Sequence, residues 1–156
     1  MPEVSEVNYP KRILIHCTDS PNGKEYDISL IEKDHSARGF RTIGYHSVIQ
    51  PSGELQKGRG FNEVGAHCPE ANRDSIAICL VGADKFTGSQ FAKLKYHLDS
   101  IVMLYPIQPH DIFCHNQFPS AIKQGKTCPN MLINDILGWY IQNDDRIIKK
   151  YIKEII

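Results

Sequence analysis

The most constraining feature of this sequence is the uninterrupted apolar run IAICLV at residues 76–81, which follows a polar loop and ends at Gly82. A strand that is exposed on one face alternates apolar and polar residues, whereas a strand covered on both faces is apolar throughout. Such a strand belongs in the middle of a sheet that helices cover. We therefore predict a central strand in the segment DSIAICLVG.

Three other segments have the pattern of β-structure. The run RILIHC is apolar and carries His16 close to its end, before a polar loop. The segment HDIFCHNQ predicts a shorter strand that leads into a loop at His115. A hairpin is predicted across IGYHSVIQPSGELQKG, because a Pro-Ser-Gly turn divides two β-rich pieces.

Two helices are predicted in the first two thirds of the chain. The segment DISLIEKDHSARGF begins with apolar residues, continues with charged ones and stops near Gly39. The clearest helix follows Thr87, which stands three residues before Gln90, as a capping box requires. Its apolar residues fall on one face, and Pro106 ends it.

Two more helices are predicted towards the C-terminus. Asn130 is suited to cap a helix from Met131 to about Tyr140. Residues 143–156 predict an amphipathic helix, with isoleucines and Tyr151 on one face and basic residues on the other. This helix either packs on its own domain or lies at an interface with anionic lipid or the outer envelope.

The order of these elements indicates the fold class. Strands alternate with helices, although the hairpin breaks strict alternation. We predict a single α/β domain over residues 1–156, with a central mixed β-sheet of about five to six strands flanked by helices. The core of this domain is expected at about residues 12–140, followed by the helix at 143–156.

Composition excludes several classes of partner. Lys and Arg total 18 and Asp and Glu total 18, so the charge balance gives no argument for binding nucleic acid. No apolar run is long enough to span a membrane, and the N-terminus MPEVSEVNYP lacks the pattern of a secretory signal. The five cysteines are an odd number, and we expect all of them to be thiols in a reducing compartment.

The residues that could carry chemistry lie at strand ends and in loops. His16 and His115 end two predicted strands, and Cys128 lies in the polar segment KTCPN. Two imidazoles and one thiolate make a reasonable three-ligand zinc set, with the fourth position left to water. Each histidine taken alone is more readily interpreted as a surface or hydrogen-bonded residue, and the long gap between the two makes spacing weak evidence.

Several pieces of the chain, taken in order, carry a resemblance to a known family. They are ILIHCTDS, HSARGFRTIGYHSVIQPSGELQKGRG, GAHC, DSIAICLVG, FTGSQFAKLKYHL and CHNQFPSAIKQGKTCPN. The chain resembles zinc-dependent N-acetylmuramoyl-L-alanine amidases, a family that includes amidase-type phage lysozymes and the peptidoglycan recognition proteins. The matching pieces cover about residues 12–130 in the family's order and spacing.

The resemblance implies roles for individual residues. His16, His115 and Cys128 match the three zinc ligands, so Zn²⁺ is the expected cofactor. Tyr45 matches a tyrosine that lies over the metal-bound water, and Lys126 matches a lysine that the phage enzymes need for catalysis.

Other matched residues lie around that centre. His67 matches a substrate-side histidine, and we also expect Arg38 and His46 to bind substrate. His35 matches a family histidine that is not a ligand, and we expect it to be structural.

One position departs from part of the family. Members that recycle wall fragments in the cytoplasm tend to have a glutamate in the central strand and an aspartate as the third ligand. This chain has Cys79 and Cys128 at the matching positions, which places it with the phage-like branch. Cys79 is expected to be a small core residue, with a reactive thiol as the alternative.

The expected function follows from this resemblance. It implies hydrolysis of the amide between N-acetylmuramic acid and L-alanine in bacterial peptidoglycan, by a phage or prophage endolysin. The alternatives are a cytoplasmic amidase that recycles muropeptides and a non-catalytic peptidoglycan-binding module. We expect a monomer that is made in the cytoplasm without a signal peptide. It would act on the cell wall after release or export through a pore, with possible membrane or envelope contact through the C-terminal helix.

Overall fold

A computed structural model describes residues 6–153. Its centre is a five-stranded sheet in the order β3-β2-β4-β1-β5. The strands are β1 (Arg12–Cys17), β2 (Ser47–Ile49), β3 (Leu55–Lys57), β4 (Ser75–Leu80) and β5 (Ile112–Cys114). β2, β4, β1 and β5 run parallel to one another, and only β3 is antiparallel. The predicted α/β fold with a mixed sheet is therefore confirmed.

The central strands are buried along their whole length. Every residue of β4 is buried, and it pairs with β1 on one side and β2 on the other. Side chains along a strand point alternately to the two faces of the sheet. Ile13, Ile15 and Cys17 therefore join the larger core on one face, whereas Leu14 lies in a smaller cluster on the other. His16 shares the second face with Leu14.

Four α-helices accompany the sheet: α1 (Ile28–Ala37), α2 (Gly88–Leu104), α3 (Pro119–Lys123) and α4 (Ile133–Gln142). α2 and α4 cover the face that carries the larger core, because their residues Leu94, Leu98 and Trp139 belong to that core. α1 contributes Ile31 to a smaller cluster with Val48 of β2. The second face is thus covered less completely, which leaves room for a cleft above His16.

The predicted start of α2 is confirmed. The Thr87 side chain accepts a hydrogen bond from the Gln90 backbone N–H, and the Gln90 side chain accepts one from the Thr87 N–H. The Gln90 side-chain amide also donates to the carbonyl oxygens of Ile49 and Val81. Gln90 therefore joins the start of α2 to the end of β2 and to the residue that follows β4.

The helix predicted from Met131 begins later than expected. α4 runs from Ile133 to Gln142, and Asn130 does not cap it. Asn130 has a positive φ of 61°, and its side-chain amide donates to the carbonyl oxygen of Ala83. The asparagine therefore fixes a loop to the end of the sheet. The short helix α3, which lies between β5 and Cys128, was not predicted.

The amphipathic helix predicted over residues 143–156 is wrong within the described residues. This segment contains turns and one 3-10 turn at Lys149–Tyr151. Phe86 donates its backbone N–H to Tyr151 O, and Lys153 donates its own to Phe86 O, both at 2.7 Å. These bonds replace the helical pattern, and Ile148 and Tyr151 are buried in the domain core. Ile155 and Ile156 lie outside the described residues.

Between residues 6 and 153, no helix combines the length and apolar character that crossing a membrane requires.

Candidate active site

The site begins at the carboxyl edge of the parallel strands, where functional groups of α/β folds gather. His16 lies close to the end of β1, and His115 follows β5 directly. The parallel register pairs Ile15 with Cys114, so the two histidines that follow these residues are neighbours. Their ring centroids lie 4.4 Å apart. The topology thus joins two residues that are distant in the sequence.

Cys128 completes a group of three donors. Its Sγ and one ring nitrogen each from His16 and His115 lie within 4.8 Å of one another. Donor atoms around a tetrahedral zinc lie about 3.3–3.8 Å apart, given bond lengths of about 2.0–2.3 Å. Small side-chain rotations would therefore bring all three onto one ion. The histidines are buried and Cys128 is partly exposed, and this N, N, S donor set suits zinc.

The sulfur of Cys128 contacts the backbone at the end of β1. The Cys17 N–H donates to Cys128 Sγ at 2.8 Å, and such donors stabilise a sulfur ligand. The hydrogen bond with the Cys17 side chain and then burial raise the pKa of Cys128. A bound cation acts in the opposite direction, because it deprotonates a coordinating thiol.

Asn116 and Asn130 hold the loop that presents Cys128. Asn116 donates from its side chain to Thr127 O at 3.0 Å, and Asn130 donates to Ala83 O at 2.8 Å. Asn116 was not predicted from the sequence. Its position directly after His115 was the only signal available, and a lone asparagine in a loop is too common to be informative.

His16 also contacts His67. Its Nε2 lies 2.8 Å from Nδ1 of His67, and Nε2 of His67 lies 3.0 Å from Oγ of Ser75. Burial, followed by the charges of neighbouring groups, lowers the pKa of both His16 and His67 well below the usual range. Both rings are therefore neutral near pH 7.

Tyr45 and Lys126 flank the three donors. The Tyr45 ring centroid lies 5.1 Å from that of His16. Burial raises the pKa of Tyr45 well above its usual value, so the phenol stays protonated and can donate a hydrogen bond. The side chain of Lys126 is exposed and lines the same cleft as His16 and His115. Burial and then the Lys126 charge lower the pKa of His115.

The cleft has two lobes that meet at these residues. One cavity of about 310 Å³ and another of about 340 Å³ share the walls formed by His16, Tyr45, His115 and Lys126. The first lobe extends past Arg38, Phe40, His67, Asn72 and Gln124. The second lobe extends past Thr18, Asp19, Thr127 and Asn130. A chain-like molecule could therefore lie across the three donors with one part in each lobe.

The backbone behind Tyr45 packs against the loop that carries His67. Ala66 donates its N–H to Gly44 O at 3.1 Å, and the Gly44 N–H donates to Nδ1 of His35 at 2.8 Å. The ring of His35 is buried and lies 5.2 Å from that of Tyr45. His35 thus supports the segment that presents Tyr45, which is the structural part expected of it.

The substrate-binding role predicted for His46 needs correction. Its side chain is buried, its Nδ1 accepts from Ala77 N–H, and its Nε2 lies 2.8 Å from Glu63 O. Both ring nitrogens therefore bind backbone groups, and His46 stabilises the fold. Arg38 does line the cleft: its guanidinium is half exposed and stacks over the Phe40 ring at 5.2 Å.

Comparison with known proteins gives several matches. The profile of a family described as N-acetylmuramoyl-L-alanine amidase matches residues 6–131. The endolysin of Escherichia phage T7 is 28% identical over 143 residues, which cover 85% of this chain and 86% of the endolysin.

Solved structures give similar matches. The N-acetylmuramoyl-L-alanine amidase LysC from Clostridium intestinale URNW has a TM-score of 0.77 at 24% identity, covering 90% of this chain and 91% of that chain. Wild-type Drosophila PGRP-LB has a TM-score of 0.73 at 25% identity, covering 89% and 87% respectively. These matches extend over most of each chain and concern whole domains.

Proposed function

The chain belongs to the N-acetylmuramoyl-L-alanine amidase family, and from this premise we propose that His16, His115 and Cys128 hold the zinc ion of a peptidoglycan amidase. The bond cleaved is the amide between the lactyl group of N-acetylmuramic acid and the L-alanine of the stem peptide. The observation that carries the proposal is the convergence of the three donors in the cleft, where His16 and His115 line both lobes and Cys128 lines the second.

The chemistry needs a polarised carbonyl and a stabilised oxyanion. When bound, zinc acts as a Lewis acid and lowers the pKa of water to about 7. The protein supplies candidate donors beside it, because Tyr45, whose phenol is neutral, and Lys126 both line the cleft. A donor aimed at a developing oxyanion contributes about 3 kcal/mol to the transition state. We assign that role to Tyr45 and Lys126.

The two lobes orient the substrate, because each lobe holds a different part of it. The lobe with Arg38 and His67 contains a cation and hydrogen-bonding side chains. We assign the substrate-binding role to these two residues, to Arg38 through its guanidinium and to His67 through contact with its ring, because both ring nitrogens of His67 already bond to His16 and Ser75. The scissile amide then lies over the three donors, with the sugar side and the peptide side in different lobes.

Cys79 supports the phage-like alternative over the recycling enzyme. It pairs in register with His16, is completely buried, and burial raises its pKa well above the usual value. It therefore acts as a small core residue, and the glutamate typical of recycling enzymes is missing. We propose an endolysin that acts on the cell wall after release. Activity on intact sacculi, compared with soluble muropeptides, distinguishes the two enzymes.

The test compares Cys128→Ser with Cys114→Ala. Cys114 is buried in the larger core, so its substitution removes a thiol without removing a proposed ligand. Wild type and Cys114→Ala are expected to bind one zinc and to release intact glycan strands and stem peptides that begin with L-alanine. Cys128→Ser is expected to lose both zinc and turnover.

Metal analysis and mass spectrometry of digested sacculi measure these two properties. Full zinc content and full turnover in Cys128→Ser would refute the ligand assignment. Zinc binding without turnover in the wild type would favour the non-catalytic peptidoglycan-binding module.

A further inference from the structure

We infer that Ser75 and His67 are positioning residues that hold the His16 ring in the tautomer whose Nδ1 faces the metal. This inference rests on the proposed role of His16 as a zinc ligand. It follows from the direction of three consecutive hydrogen bonds, which begin at a backbone carbonyl behind the site and end at the His16 ring.

Ser75, which is completely buried at the start of β4, determines which partner is the donor in each of these hydrogen bonds. Its hydroxyl donates to the carbonyl oxygen of Ala71 at 2.5 Å. A carbonyl oxygen can only accept, and a serine hydroxyl has a single hydrogen to give. Towards its other neighbour, Ser75 Oγ can therefore act only as an acceptor.

That second neighbour is Nε2 of His67, at 3.0 Å. Because Ser75 can only accept here, Nε2 of His67 must carry a hydrogen. A neutral imidazole has one N–H, so Nδ1 of His67 is then a lone-pair acceptor.

The last bond transfers this constraint to His16. Its Nε2 lies 2.8 Å from Nδ1 of His67. Since that nitrogen accepts, Nε2 of His16 must donate, and Nδ1 of His16 is left without a hydrogen. Only an unprotonated ring nitrogen can bind a metal. The three bonds thus select the tautomer of His16 that presents Nδ1 as the ligand atom.

The opposite tautomer of His16 would turn this bond into a contact between two lone pairs. His16 and His67 could avoid it only if His67 also changed tautomer, which would break its bond to Ser75. The ring planes of the two histidines are nearly perpendicular, at 83°, as an edge-on N–H contact requires. Partners of this kind typically change metal affinity about 10- to 100-fold when they are removed.

Three substitutions separate this role from a general effect on stability. Ser75→Ala removes the acceptor for His67, and His67→Ala removes the acceptor for His16. His67→Asn keeps a side-chain oxygen near the place of Nδ1 and so retains that acceptor. Ser47→Ala is the matched control, because buried Ser47 forms the same kind of bond with Nε2 of His97, at 2.7 Å.

Two measurements on the full chain report the result without using activity. Chelator competition gives the zinc dissociation constant, and ¹⁵N NMR of labelled histidines in the zinc-loaded protein gives the tautomer of each ring. We expect Nε2–H on both His16 and His67 in the wild type. We expect about 10-fold weaker zinc binding or more in Ser75→Ala and His67→Ala. Ser47→Ala and His67→Asn should remain close to the wild type.

The outcomes also separate this inference from the proposed function. If the wild type binds zinc but His67 carries its hydrogen on Nδ1, or if Ser75→Ala and His67→Ala bind zinc as tightly as the wild type, the positioning role is wrong and the ligand assignment stands. If Ser47→Ala weakens zinc binding equally, the effect is one of general stability and the positioning role is wrong. If the wild type binds no zinc, the proposed function itself fails.

Discussion

Replacement of Gly44 by alanine should lower catalytic efficiency without removing the metal. Gly44 lies directly before Tyr45, and its backbone contacts Ala66, which lies directly before His67. The contact joins two segments that reach the cleft from different sides of His16. A β-carbon on Gly44 would lie 2.0 Å from the carbonyl oxygen of Ala66.

The size of the effect follows from this distance. Real β-carbons essentially never lie within 3.0 Å of such an atom, and the obstacle is backbone that cannot rotate away. The two segments therefore have to separate by about 1 Å, and a displacement of that size can cost about 100-fold in rate. We expect kcat/KM to fall by about that factor, because Tyr45 moves relative to the three donors. Zinc content at saturating zinc should not change.

The assay is the release of stem peptides that begin with L-alanine from purified sacculi, with zinc content and thermal unfolding measured in parallel. Gly88→Ala is the matched control. Gly88 is the first residue of α2, and a β-carbon there meets no atom within 4 Å. Gly44→Ala with kcat/KM within twofold of the wild type would refute the reasoning. An equal loss in Gly88→Ala would also refute it.

Two further predictions concern Lys126 and His97. Lys126→Ala should keep its zinc, and its kcat should fall about 100-fold, as expected for one lost oxyanion donor. Lys126→Arg should recover part of the lost kcat. Unchanged steady-state kinetics in Lys126→Ala would exclude the oxyanion role. Burial, followed by the charge of Lys93, lowers the pKa of His97 to about 4. Because His97 then binds a proton in the unfolded chain but not in the folded one between about pH 6.5 and 4, its contribution to the free energy of unfolding should fall by about 3 kcal/mol as pH drops through this window. Urea titrations of His97→Gln should show a shallower fall, and an identical pH dependence in the two proteins would contradict the assignment.

The sheet and the main helix could be predicted because local and long-range signals agree there. The run at residues 76–81 is apolar because both faces of β4 are buried, and the Thr87 box is a local motif that tertiary contacts reinforce. In the C-terminal segment the two signals conflict. Its apolar residues have helical spacing, but the backbone hydrogen bonds of Tyr151 and Lys153 go to Phe86. A contact over that sequence distance leaves no local signal.

The residues of the site differ in the same way: some carry a local signal in the sequence, and others depend on partners that are distant in the chain. His16, His115 and Cys128 could be named from strand ends and the family resemblance. The parallel register brings the two histidines together, and the loop after α3 adds Cys128. Ser75 gave no signal, since its importance depends on two partners in space. The prediction placed His46 in the cleft beside Tyr45, which it follows directly. Neighbouring residues of an extended segment point in opposite directions, so the His46 side chain lies away from the cleft.

The positions of the three donors also decide when the site can form during translation. β1 contains the first donor and occupies an inner place in the sheet, so it waits for β4 and then for β5 to emerge from the ribosome. A nascent fragment that stops before residue 115 has only His16, and one that stops before residue 128 lacks the thiolate. With the proposed ligand set, a translation product that stops before residue 128 would have no complete zinc site, so the site could form only after all five strands and α3 have been synthesised.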